Sequence, residues 1–121
     1  MIIRSGIDLV EINRLIELNP GIRERFIKRV FTPLEIEQCT DSNLSLCGRF
    51  AAKEAVAKAL GCGIGPVSWQ DIEISRNENG EPQLHLLGEA KKQADALKLK
   101  SWSISISHTD KMAVAIAVAS E

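Results

Sequence analysis

Apolar residues recur along the chain with two different periods, and their changes predict ten elements. Ile2 to Leu9 is rich in apolar and β-branched residues and predicts a strand. From Val10 the spacing becomes helical, with Ile12, Leu15 and Ile16 on one side. Asn19-Pro20-Gly21 breaks the chain. A short helix follows, with Ile22, Phe26, Ile27 and Val30 inward and Arg25, Lys28 and Arg29 on another face. Thr32-Pro33-Leu34-Glu35 starts a third helix, with Thr as N-cap, Pro at the first helical position and Glu at the capping-box position. Beyond a loop at Asp41-Ser42-Asn43, a longer helix runs from Leu46 to Leu60 and stops at Gly61, the residue best suited to a left-handed C-terminal cap.

Gly61 to Pro66 is a turn. Asp71 to Ser75 alternates as a strand, Asn77 to Pro82 is a hairpin loop, and Gln83 to Leu87 returns. Gly88 to Leu99 has a helical pattern, and Trp102 to Ser107 and Met112 to Ala119 form two strands joined by His108 to Lys111. The order β-α-α-α-α-β-β-α-β-β predicts an α+β fold, a single domain over residues 1–121 with a largely antiparallel sheet and helices packed on one side.

Composition narrows the partners. A chain of 121 residues with 45% hydrophobic and 26% charged residues has the profile of a soluble globular domain. A net charge of −1 argues against non-specific nucleic-acid binding, which needs a basic surface. Aromatics at 4%, with no Tyr, leave few platforms for stacked bases. The start of the chain has no signal-peptide h-region, and no apolar run reaches the roughly 20 residues that span a bilayer, so no membrane association is expected. Cys39, Cys47 and Cys62 show no C-x-x-C spacing and read as thiols in a reducing compartment, which places the protein in the cytoplasm.

The densest chemistry lies in Gly48-Arg49-Phe50-Ala51-Ala52-Lys53-Glu54-Ala55-Val56-Ala57-Lys58-Ala59-Leu60-Gly61. At about 100° per residue, the alanines with Val56 and Leu60 cover one broad half of a helix. Arg49 and Lys53 border the other half on one side, and Glu54 and Lys58 on the opposite side. An amphipathic helix with a Glu54–Lys58 pair, worth about 0.2–0.5 kcal/mol, explains the charges. It does not explain the alanines, which let another backbone approach closely. Asp8 sits where strand turns to helix, and Asp8-x-x-Glu11 has the form of a capping box. Brought beside a second carboxylate, Asp8 also suits a hard divalent cation, whose shell is completed by waters and phosphate oxygens.

His108 ends a strand whose serines face one way and isoleucines the other. With only His85 and His108 as bases and no G-x-S-x-G elbow, a serine hydrolase is excluded. The Gly61 to Gly65 loop lacks the Gly-Lys-Ser/Thr of a P-loop. Arg14 with Arg23, Arg25, Lys28 and Arg29 forms either a solvated face or a surface that steers an acidic partner.

Several ordered blocks together resemble the holo-acyl-carrier-protein synthase family. They are Gly6-Ile7-Asp8-Leu9-Val10-Glu11-Ile12, Phe31-Thr32-x-x-Glu35, the Gly48 to Gly61 block, Trp69-x-Asp71-Ile72-Glu73-Ile74, Asn79-Gly80-x-Pro82 and Ser105-Ile106-Ser107-His108-Thr109. The resemblance implies a 4′-phosphopantetheinyl transferase-like fold and a Mg²⁺-dependent reaction of fatty acid biosynthesis. In it, 4′-phosphopantetheine moves from coenzyme A to a serine of an apo acyl carrier protein, and adenosine 3′,5′-bisphosphate is released. It implies Asp8 and Glu54 as Mg²⁺ ligands and Lys58 near the pyrophosphate. Arg49, Asn79, Pro82, His108 and Thr109 would hold the nucleotide end of coenzyme A. The base that deprotonates the serine stays open between Glu54 and a water at the metal. The resemblance further implies a homotrimer with active sites between subunits, and an acidic carrier docked on Arg14, Arg23, Arg25, Lys28 and Arg29. Two other readings of the same residues are a non-catalytic module that binds coenzyme A or a carrier, and a purely structural trimer.

Overall fold

The computed structural model describes residues 1–121. In chain order the elements are β1 (Ile3–Glu11), α1 (Asn13–Ile16), α2 (Pro20–Val30), α3 (Pro33–Cys39), α4 (Asn43–Leu60), β2 (Ile72–Arg76), β3 (Pro82–Leu86), α5 (Gly88–Ala96), β4 (Ser101–His108) and β5 (Met112–Ser120). The expected α+β class holds, and every strand pairing is antiparallel. The strands form two sheets and not one: a three-stranded sheet in the order β1-β5-β4 and a separate β2-β3 hairpin.

The first boundary differs from expectation. Strand β1 does not give way at Val10, because every residue through Glu11 has a partner on β5, with Glu11 opposite Met112. The Ile12 N–H then donates to Lys111 O at 2.9 Å. A helix is left only the four residues of α1. Helix α4 starts earlier than expected, at Asn43, because the Ser42 hydroxyl accepts from Ser45 N at 3.2 Å. Helix α5 ends at Ala96, ahead of Lys98 in the left-handed region. Ile22, expected inward, is 49% exposed.

Helix α4 lies across β1 and β5, and small residues make that approach possible. Ala51, Ala52, Ala55 and Ala59 are fully buried against β5, which presents Ala113, Ala115, Ala117 and Ala119 inward at every second position. On β1 the matching residue is Gly6, where a Cβ would overlap the carbonyl oxygen of Ala55. The alanine face is therefore accounted for inside one chain, without a second subunit. Gly6→Ala should destabilise the fold by about 3 kcal/mol, at the upper end of overpacking costs, since the obstacle is backbone and not a movable side chain. Chemical denaturation measures it; an unchanged midpoint would mean that β1 and α4 separate freely.

The opposite face of the three-stranded sheet carries no helix. Ile3, Ile7 and Leu9 of β1 are 60–66% exposed, and Ile116, paired with Ile7, is 41% exposed. Serines of β4 continue this face, with Ser105 opposite Ile116.

Arg49 and Lys53, expected on the polar half of α4, are buried, because α3 and the β2-β3 hairpin cover that side. Lys53 Nζ meets Glu35 Oε1 at 2.7 Å, with both side chains fully inaccessible. Its other two donors reach Trp69 O at 2.9 Å and Ile72 O at 2.6 Å. Glu35 closes the predicted capping box with Thr32 and accepts from Ile74 N at 2.7 Å. Burial pulls the Lys53 pKa down and the Glu35 charge pushes it back up. One satisfied ion pair thus ties α3, α4 and β2 together.

Candidate active site

Asp8 is a strand residue opposite Ala115 and caps no helix; the residue at the α1 N-cap is Ile12, which makes no side-chain bond there. The capping-box reading of Asp8 and Glu11 fails because pairing with β5 carries the strand past both. Both Asp8 oxygens are therefore free of backbone capping. The packing of α4 on β1 sets Glu54 beside Asp8, and the two line one cavity of about 400 Å³. Burial raises the Glu54 pKa, and the Asp8 charge raises it further. Lys58, expected to pair with Glu54 along the helix, instead reaches across to β1. Its Nζ lies 3.2 Å from Asp8 Oδ1 and donates to Ile7 O at 2.9 Å.

Two carboxylates lining one cavity fit a hard cation. Mg²⁺ takes one or two protein carboxylates and leaves its remaining positions to water and phosphate. No group of three or more His, Cys, Asp or Glu side chains is assembled anywhere, so a closed zinc-type site is absent. The wall beyond the carboxylates is apolar and aromatic, built from Leu18, Phe26 and Phe50, with Arg14 at the cavity as well. Phe50 stacks on Trp69 at 5.0 Å between ring centroids, which fixes that wall.

A second cluster gathers around Arg49. Arg49, Pro82 and His108 line one cavity of about 330 Å³, joined by Ser45, Arg76 and Gly80, with no carboxylate among its walls. Arg49 is 2% exposed. Its Nη1 donates to Gln38 Oε1 and Ile74 O, both at 3.0 Å, while its buried Nη2 has no partner. Burial lowers the pKa of this guanidinium. Asn79 and Thr109 do not line the cavity but are the chain neighbours of Gly80 and His108, which do. Asn79 N donates to Asn77 Oδ1 inside the hairpin loop. Thr109 Oγ1 accepts from Lys111 N and Met112 N, both at 3.1 Å, and so shapes the turn after β4.

The expected residues therefore fall into two groups: Asp8, Glu54 and Lys58 on one side of α4, and Arg49, Pro82 and His108 on the other. Arg49 and Glu54 are five positions apart on the helix, a rotation of about 140°. Sequence reading missed Arg76 and Gln38, which sit at a strand end and on a short helix with no motif around them.

Two of the basic residues have ion-pair partners within the chain. Arg23 bonds Asp41 at 2.9 Å, and Lys28 pairs with Glu24 at 3.0 Å. Arg14, Arg25 and Arg29 remain exposed.

Known proteins resemble this chain along nearly its whole length. The family model of the 4′-phosphopantetheinyl transferase superfamily matches residues 4–118. The holo-[acyl-carrier-protein] synthase of Moorella thermoacetica is 44% identical over 119 residues, covering 96% of this chain and 92% of its own. That of Herpetosiphon aurantiacus is 40% identical over 121 residues, covering 94% and 95%. The crystal structure of Helicobacter pylori holo-[acyl-carrier-protein] synthase in complex with coenzyme A superposes with a TM-score of 0.86 at 38% identity, covering 96% of this chain and 99% of that one. No helix here is long and apolar enough to cross a membrane. With this fold, and this likeness over almost every residue, the chain belongs to the 4′-phosphopantetheinyl transferase superfamily, as an enzyme of the holo-[acyl-carrier-protein] synthase type.

Proposed function

We propose that this protein, as a single domain over residues 1–121, transfers 4′-phosphopantetheine from coenzyme A to a serine of an apo acyl carrier protein. The reaction depends on Mg²⁺, releases adenosine 3′,5′-bisphosphate and serves fatty acid biosynthesis in the cytoplasm. The observation that carries the reading is the meeting of Asp8 and Glu54 at one cavity, with Lys58 bonded to Asp8, from a strand and a helix that come together only in the fold. Asp8 and Glu54 would hold Mg²⁺, which when bound stabilises charge on the pyrophosphate oxygens during attack at phosphorus. Lys58, beside Asp8, would offset leaving-group charge. The nucleophile belongs to the carrier, in keeping with a chain that offers no serine–base pair of its own. Arg49, Asn79, Pro82, His108 and Thr109 would hold the nucleotide end of coenzyme A, whose phosphates suit a cavity lined by two guanidiniums and no carboxylate.

Two further features support a homotrimer with shared active sites. The bare apolar face formed by Ile3, Ile7, Leu9 and Ile116 suits a second copy of the chain. The two site groups on opposite sides of α4 would be joined most simply by residues of two subunits.

Metal removal tests the reaction. Turnover, followed as carrier-dependent release of adenosine 3′,5′-bisphosphate, should stop in chelator and return with Mg²⁺; turnover that persists in chelator would contradict the reading. Carrier docking is expected on Arg14, Arg25 and Arg29, since Arg23 and Lys28 have partners within the chain. Arg25→Glu should raise KM for an acidic carrier about tenfold and leave KM for coenzyme A unchanged. An unchanged carrier KM would return these residues to an ordinary solvated face.

A further inference from the structure

Arg49 is a buried cation with one unpaired nitrogen, and a single neutral side chain determines how it is held. Gln38, on α3, takes the Arg49 Nη1 proton on Oε1 at 3.0 Å and, on the same oxygen, the Arg76 N–H at 2.9 Å. Its Nε2 donates back to Arg76 O at 3.3 Å. Two donors on one atom and an acceptor opposite the other leave one orientation for the amide. The Ile74 carbonyl holds the same Nη1 at 3.0 Å. With Nη1 bonded twice, the guanidinium plane is fixed and Nη2 is kept without a protein partner. An unpartnered buried donor is unfavourable by about 1–3 kcal/mol, so a freely turning guanidinium would move to satisfy it.

We propose that Gln38 is a positioning residue, holding the Arg49 guanidinium at the wall of the cavity with its charge unneutralised, so that this charge serves the nucleotide end of coenzyme A. The inference rests on the assignment of the Arg49 cavity to that nucleotide. Residue type matters here. A glutamate at position 38 would accept the same two hydrogen bonds but neutralise the cation that a phosphate needs. Glutamine orients the guanidinium and leaves its charge unspent. Gln38 also fixes the backbone of Arg76, the second guanidinium of the cavity, so one amide sets both cationic walls.

The test is calorimetric binding of coenzyme A to the protein and its variants. Arg49→Met, which keeps the packing of the stem, should weaken binding strongly. Gln38→Ala should weaken it about tenfold, as expected for losing an orienting bond to a charged group. In the Arg49→Met background, Gln38→Ala should add nothing, because its effect passes through Arg49. Gln38→Glu should also weaken binding while thermal stability is kept, a result that a merely structural role would not give. Unchanged binding by Gln38→Ala, or losses that multiply in the double variant, would overturn the proposal. If Arg49→Met binds coenzyme A normally, the nucleotide assignment fails, and nitrogen NMR of the Arg49 side chain then decides for Gln38. Slow exchange of its guanidinium protons in the parent should become fast in Gln38→Ala; exchange that stays slow would refute the positioning role independently of any ligand.

Discussion

Glu54→Gln should yield a folded protein that has lost at least about a hundredfold in transfer rate, the scale of removing one stabilising group from a phosphoryl-transfer site. It should be no less stable than the parent in the absence of metal. The stability effect has an electrostatic cause. Burial, and then the charge of Asp8, raise the Glu54 pKa in the fold. A carboxyl whose folded pKa is raised contributes stability while protonated, below its ordinary titration range, and loses it as pH rises through the folded value. Above that folded value the ionised group is held against its preference, and the isosteric amide relieves that. Thermal unfolding in chelator, beside turnover with Mg²⁺, measures the two halves. A midpoint that falls sharply while activity survives would mean that Glu54 serves the fold and not the reaction. Asp8 is a less clean position, since Asp8→Asn also removes the partner of Lys58.

Lys53→Met should cost about 3–5 kcal/mol of stability, the range for breaking a buried ion pair from one side. Glu35 would be left with two backbone N–H donors, from Thr32 at 2.8 Å and Ile74 at 2.7 Å, and no countercharge. The double variant Glu35→Gln with Lys53→Met should recover much of the loss, because the buried charge is then gone altogether. Urea titration of the three variants separates these outcomes; additive losses would show that the two side chains act independently. The loss would reach the active site as well, since Lys53 precedes Glu54 on α4 and anchors that helix to β2.

The local grammar of the sequence carried much of the fold. Thr32 and Glu35 announce their capping box, Gly61 ends α4 in the left-handed region, and the alternation of Ser and Ile along β4 reads directly as an exposed and a covered face. What was not legible depends on residues far apart in the chain. Asp8-x-x-Glu11 looks like a cap from its neighbours alone, and only the register with β5 makes it strand. Glu54 and Lys58 have helical pairing distance, yet the nearer partner of Lys58 lies on β1. Lys53 reads as a solvated charge because its partner, Glu35, had already been given a capping role. The pairing of Asp8 with Glu54 came from the matched motifs; residue chemistry showed only that a metal could sit there. Gln38 left no signal, because an amide that orients an arginine has no spacing rule.

The most direct measurement is the mass of the carrier. An apo acyl carrier protein incubated with this protein, coenzyme A and Mg²⁺ should gain the mass of one phosphopantetheinyl group on a single serine, with none added when Glu54→Gln replaces the parent. Carriers that keep their apo mass with the parent protein, across several acidic carriers, would contradict the assignment of Asp8, Glu54 and Lys58 to phosphopantetheine transfer.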